Sequence, residues 1–153
     1  MEPLLRHTLA TLSYRLGKVL RDTPDEFAAY PEGESQTADK ILAHIGDLLD
    51  WALTMVNGEQ KWQNSTPLPW QQEIARFYAS LAALDVRVAE IGAGASTQER
   101  LFQGPIADAL THTGQLAMMR RLAGLKMPGE NYYIADIVAG RVGPEQTPPR
   151  RVF

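Results

Sequence analysis

Four stretches of this chain repeat an apolar residue every three or four positions, while no stretch of strand length alternates apolar with polar. The first pattern gives a helix one buried face, and the second is what a half-buried strand would need. The chain therefore reads as all-α. Over about 4–21, Leu5, Leu9, Leu12, Leu16, Val19 and Leu20 share a face, and Asp22-Thr23-Pro24 stops the helix. A second helix is predicted over 36–57, capped by Ser35 or Thr37 with Asp39 in its first turn, and closed by Asn57-Gly58. A third runs over 69–92, opened by Pro69 and carried by Ile74, Phe77, Leu81, Leu84 and Val88. The fourth occupies 105–123 and ends at Gly124, and the tail over 125–153 reads as extended. Four long helices imply a bundle.

The joints carry their own expectations. Pro24, Pro31 and Gly33 mark a connection with room for one turn of helix over 25–29, and 59–68 is long enough for a crossover. Ser96 with Glu99 forms the pattern of a capping box. Gly104-Pro105 should break any helix begun there and restart it at Pro105.

At 153 residues the chain suits one domain spanning 1–153, and 44% hydrophobic with 22% charged residues is the make-up of a folded globular protein. A formal charge of −3 supplies no basic surface to neutralise a phosphate backbone, so nucleic acid is not expected as a partner. No apolar run reaches the roughly 20 residues of a membrane span, and Met1-Glu2-Pro3 lacks the basic and apolar parts of an export signal; the cytoplasm is the expected location. Cysteine is absent, so any metal must be bound by nitrogen and oxygen.

Only three histidines are present. His7 lies opposite the leucine face of its helix and points to solvent. His44 falls at the edge of the apolar arc of the second helix, in a row with Leu48, Trp51 and Met55, with Asp39, Asp47 and Asp50 on the other side. Asp108 and His112 stand four residues apart on the fourth helix, a spacing that stacks both side chains on one face and lets them hold one ion. Gln115 and Met119 extend that face. Each residue also has a plainer reading. His44 and His112 can be core imidazoles hydrogen-bonded to neighbours, Asp108 an acid that stabilises a helix start, and Gln115 a helix-to-helix contact.

Other residues define weaker candidates. Ala107, Thr111 and Gly114 form a small stripe suited to close helix packing. Glu73, Asp85 and Glu90 read as a solvated face of the third helix. Trp51, Trp62, Trp70, Tyr132 and Tyr133 would line the mouth of a carrier, and Asn131-Tyr132-Tyr133 would then fold over the open side of a metal.

Two segments carry a resemblance. His44-Ile45-Gly46-Asp47-Leu48-Leu49-Asp50-Trp51 resembles the second-helix motif of the DinB-like metalloenzyme family, in which a histidine is the first metal ligand. Thr111-His112-Thr113-Gly114-Gln115-Leu116 resembles its other signature, a His-x-x-x-His pair followed by x-Gly-Gln. The resemblance implies a four-helix bundle running up-down-down-up, often paired as a homodimer. It also implies a divalent metal, zinc or nickel first and iron or manganese next, on His44, Asp108 and His112. Asp108 stands where the family has histidine, so a two-histidine, one-carboxylate site replaces three histidines or the site has been lost. Retained, it implies a metal-dependent enzyme of hydrolase or thiol-transferase type with an unnamed small-molecule substrate, in which Gln115 orients a ligand. Lost, it leaves a non-catalytic dimeric binding or stress-response protein.

Overall fold

The apolar periods close onto a common core in the computed structural model, which describes residues 2–153. Among the described residues, the helices are α1 (Glu2–Leu20), α2 (Ala38–Val56), α3 (Trp70–Ile91), the short α4 (Ala95–Leu101) and α5 (Ala107–Leu122), and no strand is formed. Among the described residues, strand-type pairing consists of two isolated bridges, Pro31 with Thr37 and Glu130 with Val152. A 3₁₀ turn occupies Asp25–Ala29, where one turn of helix was expected, and another occupies Tyr132–Ile134 within the tail.

The four long helices pack in a ring in which α1 meets α3 and α5, and α2 meets the same two. Leu9, Leu12 and Leu16 of α1, Leu42, Ile45 and Leu49 of α2, Phe77, Leu81 and Leu84 of α3, and Leu116 of α5 are fully buried between them. Burial of each such side chain stabilises the fold by about 1.5–3 kcal/mol, which is why propensity matters less here than the apolar stripe.

Polar pairs fix the register of the ring. Arg6 of α1 donates twice to Asp85 of α3, at 2.9 and 2.8 Å. Arg76 of α3 reaches α2, donating to the Ala43 carbonyl and to the carboxylates of Asp47 and Asp50, while also meeting Glu73. Arg87 donates to Asn57 at the end of α2. Arg120 of α5 donates to the carbonyls of Lys18, Val19 and Arg21 and closes the C-terminus of α1; burial lowers its pKa. Those carbonyls have no partner inside their own helix, so a guanidinium is well suited to meet them.

Several expectations are corrected. Glu73 and Asp85 do not belong to a solvated face: they are 1% and 3% exposed, held by Arg76 with the Leu68 amide and by Arg6 respectively, and only Glu90 stays exposed. Asp47 is likewise buried rather than on an outer side. Thr37 sits at the start of α2 but its hydroxyl donates to Asp39 instead of capping. Ser96 lies inside α4, whose N-cap is Gly94, so no capping box forms. Gly104-Pro105 does not interrupt the helix either. A π turn over Phe102–Ile106 takes up Pro105, whose missing N–H and ring would disrupt an α turn, and carries α4 continuously into α5. The small stripe packs against no helix at its end, since Thr111 and Gly114 are exposed and nothing lies within 4 Å of a Cβ placed at Gly114.

Candidate metal centre

The facing stretches of α2 and α5 bring three side chains to one point. His44 comes from the second turn of α2, Asp108 from the first turn of α5 and His112 from one turn further along the same face. His44 Nε2 lies 3.4 Å from Asp108 Oδ2, and His112 Nε2 lies 3.4 Å from Asp108 Oδ1. The two imidazole rings stand nearly perpendicular with centroids 4.9 Å apart. One nitrogen or oxygen from each residue lies within 4.8 Å of the others.

These separations test what the group can do. A direct N–H···O bond is about 2.7–3.2 Å long, shorter than either histidine–aspartate distance. Two ligands bound about 2.0–2.2 Å from a tetrahedral ion stand roughly 3.3–3.6 Å apart. Both 3.4 Å distances fall in that second range, and one donor atom from each residue lies within 4.8 Å of the others, so the three residues could hold a divalent ion after a small contraction. The two imidazoles use different oxygens of Asp108, so the carboxylate must turn slightly or bind through both oxygens. The side chains are 37%, 46% and 21% exposed in chain order, which leaves an open side for solvent or a further ligand.

Gln115 decides which nitrogen of His112 is available. Its Oε1 lies 2.5 Å from His112 Nδ1. An amide oxygen only accepts, so Nδ1 carries the proton and the lone pair of Nε2 faces Asp108.

The surroundings come from the crossover between α2 and α3. Trp62 packs edge-on to His44 at 5.5 Å and to Trp51 at 5.6 Å. Ser65 donates its amide and its hydroxyl to Asp47, and Arg76 donates to the same carboxylate. Burial opposes ionisation of Asp47, but the Ser65 and Arg76 hydrogen bonds together outweigh it and hold the carboxyl below its usual range. A cleft of about 390 Å³ opens beside the triad, walled by Gln36, Lys40, Asn64, Ser65 and Gln115 among others.

The aromatic residues do not gather at one mouth. Trp62 packs on His44 and Trp51 packs on Trp62, whereas Trp70 is buried against Phe27 and donates to Thr23. Tyr132 packs against Tyr14 beneath the guanidinium of Arg15, and Tyr133 is 96% exposed. Tyr132 therefore lies against α1, and Trp62, Asn64 and Ser65 stand beside the triad in place of 131–133. Trp62 was among the aromatic residues singled out and does stand beside the triad, whereas Ser65 and Arg76 are the neighbours that sequence reading missed. A crossover without periodicity gives no local sign of which of its residues turn inward.

No protein-family model, no curated protein and no solved structure matches the chain.

Proposed function

We propose that the chain is a DinB-like, metal-dependent enzyme of hydrolase or thiol-transferase type, with its ion held by His44, Asp108 and His112. The observation that carries this reading is the meeting of three donors from two helices within 4.8 Å, with each histidine 3.4 Å from an oxygen of Asp108, longer than a direct hydrogen bond. The up-down-down-up course implied by the resemblance is supported by the cross-helix pairs. Arg6–Asp85 and Gly17–Tyr78 number in opposite senses along α1 and α3, Arg76–Asp47 and Arg87–Asn57 number in the same sense along α2 and α3, and Arg120 meets α1 end to end. We read residues 1–153 as one bundle domain on the same ground, and its homodimer as part of the proposal.

His44, Asp108 and His112 would hold the divalent ion, which would supply Lewis acidity toward an oxygen or sulfur of a substrate. The chain's own residues do the rest. Gln115 fixes the tautomer of His112, and Trp62 packs edge-on against one side of His44. The polar wall of Gln36, Asn64 and Ser65 can orient a small substrate, with Lys40 as the cation of that cleft. Zinc or nickel is the ion proposed first, and two imidazoles with one carboxylate are a donor set that iron also takes, with manganese next.

Elemental analysis of tag-free protein tests the proposal. The wild-type chain is expected to hold one equivalent of metal after exposure to zinc or nickel, with a raised Tm, and His44→Ala to hold none at unchanged helix content. Stoichiometric metal retained in His44→Ala, or none in the wild type, overturns it and leaves the non-catalytic reading.

A further inference from the structure

We propose that the groove between α1 and α5 is a second ligand site, taking a small organic anion with an apolar or aromatic body whose head is held by Arg15 and Arg121. The groove encloses about 590 Å³ and shares no lining residue with the cleft beside His44. That volume falls within the roughly 300–1,000 Å³ of small-molecule sites.

The charge is set by its two walls. Arg120 donates to the Lys18 and Val19 carbonyls, so the ends of α1 and α5 lie together and Arg15 and Arg121 line one groove. Among the described residues, neither guanidinium has a carboxylate within ion-pair distance. Arg15 instead lies over the Tyr132 ring at 3.6 Å, a contact that orders the side chain and leaves its N–H groups uncommitted to any acid. Glu130 also lines the groove, but its carboxylate accepts from Tyr14 at 2.7 Å and from Lys18 at 2.9 Å. That acid is already balanced, so the groove keeps the positive charge of both arginines.

The apolar body follows from the remaining walls. Val19, Leu110, Met127 and Phe153 surround the space. Gly114 and Ala117 leave it open because they carry little or no side chain, and nothing lies within 4 Å of a Cβ at Gly114. A planar guanidinium favours a carboxylate or phosphate, which it can meet with two parallel bonds.

Amide-resolved NMR titration of the full chain with 4-phenylbutyrate, alongside the uncharged 4-phenylbutyramide, tests the site. Saturable shifts are expected at Gly114, Ala117 and Gly129, with a Kd of about 1 mM or tighter, and the amide should bind roughly tenfold more weakly. The double variant Arg15→Gln, Arg121→Gln should lose about tenfold in affinity for the acid alone. Gly114→Leu should abolish binding of both, and it should fold, because leucine favours a helix more than glycine and enters empty space. Absence of saturation, equal affinity for acid and amide, wild-type affinity in the double variant, or shifts centred on the exposed Leu4 and Phe102 would each overturn the assignment. None of these readouts depends on metal at His44, so the two sites stand or fall separately.

Discussion

Ser65 donates both its backbone amide and its hydroxyl to the carboxylate of Asp47, at 2.9 and 2.6 Å, from 18 positions further along the chain. This clasp is the anchor of the crossover. Behind it, Arg76 holds Asp47 from α3, so one buried carboxylate ties two helices and a connection to the wall of the proposed metal site. Trp62, three residues before the clasp, is thereby kept against His44.

Removing the two partners separately should give unequal losses. Ser65→Ala deletes one charge-assisted bond and is expected to cost about 1.5–3 kcal/mol. Asp47→Ala removes the bonds from Ser65 and from Arg76 together, leaving Arg76 on Asp50 and Glu73, and is expected to cost about 3 kcal/mol or more. Urea denaturation measures both, and tryptophan fluorescence should change in each folded variant as Trp62 leaves His44. Equal losses with unchanged fluorescence would mean that the clasp positions nothing.

The same carboxylate gives the fold an acid sensitivity of defined sign. Asp47 titrates below its usual value in the folded chain, so the unfolded chain takes up its proton first as pH falls. Its contribution is complete above about pH 3.9 and disappears as pH drops through the lower folded value. Stability of Asp47→Asn, followed by urea titration, should therefore slope less steeply than that of the wild type below about pH 4. Parallel slopes would assign the acid lability to other groups.

Gly46 lies between His44 and Asp47, and a Cβ there would come within 2.6–2.9 Å of the Arg76 guanidinium. Alanine gains about 1 kcal/mol of helix propensity over glycine. Displacing Arg76 from Asp47 and Glu73 costs about 3–5 kcal/mol, so the clash decides the sign. Gly46→Ala should destabilise by about 2 kcal/mol or more, and a raised Tm would show that Arg76 moves aside freely.

Gln115→Leu removes the acceptor that fixes the His112 tautomer without touching a proposed ligand. Metal affinity should fall by about 10–100-fold while helix content stays constant. Calorimetric titration with zinc measures it. Wild-type affinity would make Gln115 a bystander.

How much of this was readable beforehand varies with the range of the interaction. The helices follow from apolar spacing, which is local, and the pairing of Asp108 with His112 follows from the geometry of a single helical turn. The burial of Glu73, Asp85 and Asp47 does not. A carboxylate on a helical wheel looks solvated until its partner is known, and Arg6 pairs with Asp85 across 79 positions. The aromatic residues failed for the same reason, since Trp62 and Trp70 sit only eight apart in the chain yet one lies against His44 and the other against Phe27. The π turn gave no sign at all, because Gly-Pro punctuation reads as a stop.

That turn sets the phase of everything after it. A π turn holds about one residue more than an α turn, and each residue rotates a helix by about 100°. Had Phe102–Ile106 wound as an ordinary α-helix, Asp108 and His112 would be swung about a quarter of the way around the axis, away from His44. A single added backbone unit, with no side chain in the triad, thus sets the azimuth at which the acid and imidazole of α5 are offered to α2.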